Sequence, residues 1–142
     1  MKTVQQILST KSVQIFSVTE NSSVLEALQM MMEKNVSALL ILEDDKLQGI
    51  FTERDYARKI ILYGKSSAET PIKEVMTPNP ITILPTDSID MCMQLMTDKH
   101  IRHLPVMDDN KLLGMISIGD VVKFIIEDQK QTISQLESYI SS

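Results

Sequence analysis

The sequence predicts an α+β fold made from two copies of one supersecondary unit. Three observations predict it. Gly49-Ile50-Phe51-Thr52-Glu53-Arg54-Asp55 returns as Gly114-Met115-Ile116-Ser117-Ile118-Gly119-Asp120, 65 positions later. The same offset holds without a gap from Ser17/Thr82 to Ile61/Ile126, through Val24/Ile89, Met31/Met96 and Leu39/Leu104. Each copy sets a helical apolar spacing ahead of two β-rich runs joined by an acidic turn. A unit this short buries little apolar surface alone, so two copies should share one module.

The elements follow in chain order. Residues 4–8 form a short turn, matched by 72–76 at a shift of 68. Irregular lead-ins cover 10–15 and 77–82. Asn21 or Ser22 caps a helix over 23–32, and Thr86-Asp87-Ser88 supplies the cap for 89–96. Strand, polar turn and strand then read 37–42, 43–46 and 47–52 in one copy, and 103–107, 108–111 and 112–116 in the other. Both make hairpins. A further helix starts at Thr52–Asp55 and at Ser117–Asp120. The turn-rich connector 63–71 divides the repeats into 1–66 and 67–142. The last helix, 121–142, carries Ile126, Ile133, Leu136 and Ile140 near one stripe among polar residues. Such a helix end either packs on a partner chain or frays.

Composition removes several classes of function. The chain has 142 residues, 43% hydrophobic and 23% charged, which is ordinary for a globular domain. No apolar run approaches the ~20 residues of a membrane span, and the first residues lack a signal-peptide core. A cytoplasmic protein is expected. The net charge of −5 argues against nucleic acid as partner. The single Cys92 excludes an internal disulfide framework; it aligns with Ala27 on an apolar helix face and reads as an inert core thiol. The 10 Met residues read as deformable core filler. Gly64-Lys65-Ser66 is no P-loop, because Lys59 stands where the motif needs glycine. His100 and His103 would face opposite sides at a strand entry, so no metal site is expected. No Ser-His-Asp order, carboxylate pair or redox motif emerges; no catalytic residue is expected.

The repeated Gly-x-x-[Ser/Thr]-x-x-Asp carries the chemistry. A strand ends on a hydroxyl, and a helix begins within three residues. Free N–H groups at a helix start attract anions. Thr52 and Ser117 add hydroxyls there, and Asp55 and Asp120 add carboxylates that can accept from a ribose diol. The same residues also fit a plain capping box, with Asp at the third helical position. The residues alone leave both readings open. Gly49 and Gly114 permit a turn or close backbone approach. Arg54 and Arg58 lie four apart on one helix face in the first copy only, a spacing suited to clamping phosphate.

In this order, the motifs resemble a tandem cystathionine-β-synthase-type (CBS) domain pair, or Bateman module. The resemblance rests on 36–41 with 49–55, then on 76–82, 101–106 and 114–120, and covers nearly the whole chain. It implies two βαββα-type repeats related by a pseudo-twofold axis, sheets packed face to face, and dimers shaped as flat discs. It implies a ligand containing adenosine: AMP, ADP, ATP or NAD(H), with S-adenosylmethionine less favoured and no cofactor required. By position, Asp55 and Asp120 match the family's ribose-binding Asp, and Thr52 and Ser117 match the adjacent hydroxyl. Thr77, Asn79 and Ile81 match the lead-in that clasps the base. His103, Leu104 and Pro105 match the strand edge lining the second cleft; Lys11, Val13, Ile15 and Ala38 take the equivalent places in the first copy. The arginines are expected to serve a ligand held mainly by the second copy. The expected function is a stand-alone energy-sensing module that signals by conformational shift to an effector protein in trans. The alternative is a ligand-free dimerisation scaffold.

Overall fold

The computed structural model describes residues 1–11 and 14–141. Its elements are α1 (Val4–Thr10), β1 (Ser17–Val18), α2 (Val24–Lys34), β2 (Ala38–Glu43), β3 (Lys46–Thr52), α3 (Glu53–Asp55), β4 (Thr77–Pro78), α4 (Ile89–Lys99), β5 (His103–Asp108), β6 (Lys111–Ser117) and α5 (Ile118–Ser141). Val13, expected in the first lead-in, lies outside the described residues. No helix among the described residues is long and apolar enough to cross a membrane.

The two copies fold alike because their local signals are alike. Ser23 caps α2, its Oγ accepting from the Glu26 N–H at 3.1 Å; the cap therefore falls one or two residues later than Asn21 or Ser22. Ser88 caps α4, accepting from the Met91 N–H at 3.1 Å. Each helix ends on a left-handed residue, Asn35 (φ 53°) or His100 (φ 55°), whose N–H bonds the last turn. Each hairpin turns through two left-handed residues, Asp44-Asp45 and Asp109-Asn110. That is the two-residue turn whose twist matches the flanking strands. Both hairpins carry a register irregularity at the same place, Ile41/Leu42 and Val106/Met107.

The sheets have the orders β1-β2-β3-β4 and β5-β6. β1 pairs parallel with β2 through Val18 and Ile41; the bridge Ile83↔Val106 repeats that pairing in the second copy. The inner faces of the hairpins meet, with Ala38, Leu40 and Ile50 packed against Leu112 and Met115. Outside this layer lie two helix-covered cores, one around Phe51, Leu39 and Ile41, the other around Leu104, Val106 and Ile116. Met31 and Met96 fill these cores as expected, whereas Met32 is exposed.

The repeats exchange their first turns. Residues 4–8, expected as a short turn, lie in the seven-residue helix α1, whose Val4, Ile7 and Leu8 pack in the second core. The 3₁₀ turn Ile72–Glu74 and Val75 place Ile72 and Val75 in the first core. β4 then pairs with β3, setting Pro78 opposite Gly49. A Cβ on Gly49 would stand 2.7 Å from Met76 Sδ and 2.8 Å from the Thr77 carbonyl oxygen. Glycine is required there for close backbone approach. The copies diverge after Asp55: α3 widens into a π-helical segment, Tyr56–Ile61, while α5 is one unbroken helix of 24 residues, Ile118–Ser141.

Candidate functional site

Two clefts flank the layer between the hairpins. The first has a volume of about 510 Å³. Thr52, Arg54, Asp55 and Arg58 line it from the first copy; Thr77, Asn79 and Ile81 line it from the second lead-in; Lys99, His100, Arg102 and His103 close it. The second has a volume of about 340 Å³ and is lined by Lys11, Ile15, Phe16, Ala38, Met115, Ser117 and Asp120 among others. Ser37 and His103 line both, and their Oγ and Nε2 atoms lie 3.1 Å apart.

The lead-ins cross. Thr77, Asn79 and Ile81 lie beside Asp55, not beside Asp120 of their own repeat, because β4 adds to the sheet edge at β3. Lys11, from the first lead-in, reaches Asp120 instead, Nζ to Oδ2 at 2.8 Å. The arginines of the first copy thus share a cleft with the second lead-in, while Ser117 and Asp120 of the second copy line the other cleft. Two expected lining residues fall elsewhere. Leu104 and Pro105 are buried: strand alternation turns Leu104 into the second core, and Pro105 lies under the lead-in, its carbonyl accepting from the Ile83 N–H at 3.0 Å. Only His103 of that trio reaches a cleft.

Both aspartates form capping contacts. Asp55 is 9% exposed. Its Oδ2 accepts from the Thr52 N–H at 3.0 Å and the Thr52 hydroxyl at 3.2 Å. Its Oδ1 accepts from the Thr77 hydroxyl at 3.3 Å and pairs with Lys59 Nζ at 3.3 Å. Lys59 is thus tied to Asp55 and to the Val75 carbonyl at 2.9 Å. Asp120 Oδ2 accepts from the Ser117 N–H at 2.9 Å and from Lys11, which also donates to the Met115 carbonyl at 2.9 Å. Burial raises the Asp120 pKa, but the Lys11 and Ser117 donors outweigh it and hold the carboxyl below its ordinary value. Burial depresses the His103 pKa, against the pull of Asp120 and with the help of Arg102 and Lys11. Its imidazole is therefore held toward the neutral form.

Cationic side chains concentrate in the first cleft. Arg54, Arg58, Lys99 and Arg102 line it, and none has a carboxylate ion-pair partner among the described residues. Arg54 Nη1 donates to the His100 carbonyl at 2.7 Å, tying the first copy to the end of α4. Lys99, Arg102, Ser37 and Phe16 were not foreseen as lining residues. Their signal was faint: Lys99 matches Lys34 across the repeat, and Arg102 adjoins His103. The cleft can hold a multiply charged anion next to a carboxylate and a strip of backbone, which suits a phosphorylated polar ligand. Among the described residues no cluster of metal-ligating side chains occurs.

The comparisons with known proteins agree with this architecture. The CBS domain family pattern matches residues 4–62 and again 72–127. A protein with CBS domains from Burkholderia ambifaria MC40-6 is 48% identical, with a TM-score of 0.87 over 90% of this chain and 96% of that one. The mitochondrial CBS domain-containing protein CBSX3 of Arabidopsis thaliana is 42% identical over 127 residues, which span 86% of this chain and 62% of that protein. YhcV of Bacillus subtilis is 32% identical over 83% of this chain and 84% of its own length. CBSX2, solved in complex with AMP, shares the fold at a TM-score of 0.76 and 23% identity. The duplicated hairpins, exchanged first turns and paired clefts are those of two CBS repeats, and the chain belongs to the CBS-domain family.

Proposed function

We propose that the chain is a regulatory module that binds an adenine nucleotide in the first cleft, between repeats divided near residue 66. The observation that carries this reading is the meeting of Arg54, Arg58, Lys99 and Arg102 with Asp55 and the Thr77–Ile81 backbone in one cleft of about 510 Å³. The guanidinium groups take the phosphate, and the lead-in clasps the base beside Ile81. A ribose diol takes Asp55 Oδ1 in place of the 3.3 Å Thr77 contact. AMP, ADP, ATP and NAD(H) share that adenosine-phosphate half; S-adenosylmethionine lacks the phosphate and fits the arginines less well. That a protein of this fold, CBSX2, was solved with AMP is in keeping with the reading. Because both repeats line the cleft, ligand binding favours one packing of the repeats, and an effector protein in trans reads the shift. A cytoplasmic location accompanies this reading.

One observation favours the alternative, a ligand-free scaffold: all of Asp55's oxygens already hold capping or ion-pair contacts. A thermal-shift panel with AMP, ADP, ATP, NAD⁺, NADH and S-adenosylmethionine separates the two. Saturation at a hundredfold over Kd stabilises a fold by ~2.7 kcal/mol, a visible shift. The shift should vanish in Arg58→Ala/Arg102→Ala and persist in Asp120→Asn. A shift lost only in Asp120→Asn would move the ligand to the second cleft. No shift with any ligand would leave the scaffold.

A further inference from the structure

Duplication supplies an internal control for the charge of the first cleft. At the 65-position offset, Arg54 and Arg58 correspond to Gly119 and Lys123, and Lys99 and Arg102 correspond to Lys34 and Ser37. Of these counterparts only Ser37 lines the second cleft; Lys34 lies over the Phe16 ring instead, 5.6 Å from its centroid. Among the described residues Lys11 is the one lysine or arginine lining the second cleft, and Asp120 holds it at 2.8 Å. Both clefts keep an Asp at their edge, Asp55 or Asp120, with its hydroxyl neighbour Thr52 or Ser117. What the first cleft adds is positive charge, in a chain whose net charge is −5. Glu53 also lines that cleft and offsets one of its four cations, while Lys59 offsets Asp55 at 3.3 Å. Three cations stand in excess.

A phosphate monoester carries a charge of about −1.5 to −2 at neutral pH and leaves part of that excess unmatched. A diphosphate or triphosphate tail adds charge and acceptor oxygens beyond the first phosphate. The phosphates of NAD⁺ are esterified at both ends, so that ligand lacks the more highly charged terminal group. Resting on the nucleotide reading above, we propose that the first cleft selects adenosine di- and triphosphates over AMP and NAD⁺. The tail divides between two walls. Arg58 stands three positions after Asp55, on the wall that holds the ribose, and takes the first phosphate. Lys99 and Arg102 come from the end of α4 and the entry to β5, and take the terminal phosphate. Arg54, bonded to the His100 carbonyl at 2.7 Å, braces one wall against the other. The second cleft, with Ser37 at the place of Arg102 and its lysine already paired, has no such preference.

Isothermal titration calorimetry of the full chain tests this, with adenosine, AMP, ADP, ATP, NAD⁺ and inorganic tripolyphosphate as probes. Magnesium is left out, because it would neutralise the tail in place of the side chains. ADP and ATP should bind at least about tenfold more tightly than AMP or NAD⁺. Lys99→Ala/Arg102→Ala should abolish the preference of ADP over AMP, and Arg102→Lys should keep part of it. Both side chains are exposed, so the thermal melt of the unliganded variants should match that of the wild type. AMP or NAD⁺ binding as tightly as ADP would overturn the selectivity and leave the nucleotide reading standing. So would a preference that survives the double substitution. Tripolyphosphate binding as tightly as ATP would overturn the selection of a nucleotide. No binding of any adenosine compound would overturn both readings.

Discussion

Asp120 and His103 make the second cleft sensitive to acid. The Asp120 carboxyl titrates below its ordinary value of 3.8 in the fold, so its contribution is complete above that pH and is lost as pH falls through the folded value. Lys11→Met removes the ammonium at 2.8 Å. It should cost about 0.5–1 kcal/mol at neutral pH and flatten the loss below pH ~4, as read from urea midpoints across pH. His103 acts higher on the scale. Its folded pKa lies below 6.5, so the unfolded chain binds the proton first and stability falls as pH drops from about 6.5 toward the folded value. His103→Gln should remove that slope in the same titration. The Cys92 thiol, fully buried, is pushed up to about 11 by burial and Asp87. It should react with a disulfide reagent only as fast as the chain unfolds; rapid native labelling would contradict its place in the core. Gly49→Ala drives a methyl into Met76 and Thr77. A cost of about 1–3 kcal/mol is expected in chemical denaturation, and under the proposed function nucleotide binding should weaken as well, because the second lead-in must move.

The helices and hairpins are held by signals within a few residues of themselves. Ser23 and Ser88 each satisfy a helix N-terminal N–H at 3.1 Å, and Ser23→Ala or Ser88→Ala should cost about 1 kcal/mol each. The equal effect is itself a check on the structural equivalence of α2 and α4. α1 behaves otherwise. Among its seven residues only Val4, Ile7 and Leu8 are buried, and their neighbours belong to the second repeat. Ile7→Ala should therefore cost about 2–4 kcal/mol and expose the second core, seen as loss of amide protection in β5 and β6 rather than in β2 and β3. Protection lost first in β2 and β3 would contradict the exchange.

Across the molecule, the exchanged turns tie two repeats into one folding unit. The first repeat lends α1 to the second core, and the second lends Ile72 and Val75 to the first. The hairpin layer of Ala38, Leu40, Ile50, Leu112 and Met115 lies between them. Neither core is complete without the other repeat. Calorimetry should show one transition with equal calorimetric and van't Hoff enthalpies; two separate transitions would mean that the repeats unfold independently.

The duplication, both hairpins with their acidic turns, a cap within Thr86-Asp87-Ser88 and the hydroxyl–Asp pairs were legible because each is a local pattern, read from neighbours a few positions apart. The cap at Ser23 was misplaced by one or two residues because Asn21, Ser22 and Ser23 are all competent caps, and only the backbone conformation selects among them. By itself, then, the sequence determined a two-repeat α+β chain and the residue types of its clefts. Tertiary structure decided which lead-in meets which aspartate, that α1 and the Ile72 turn change sides, and that Leu104 and Pro105 are buried while Lys99 and Arg102 line a cleft. Those outcomes depend on contacts such as Lys11 to Asp120, 109 residues apart. No periodicity encodes them, because they are set by how two finished hairpins pack and by which sheet edge remains open to β4.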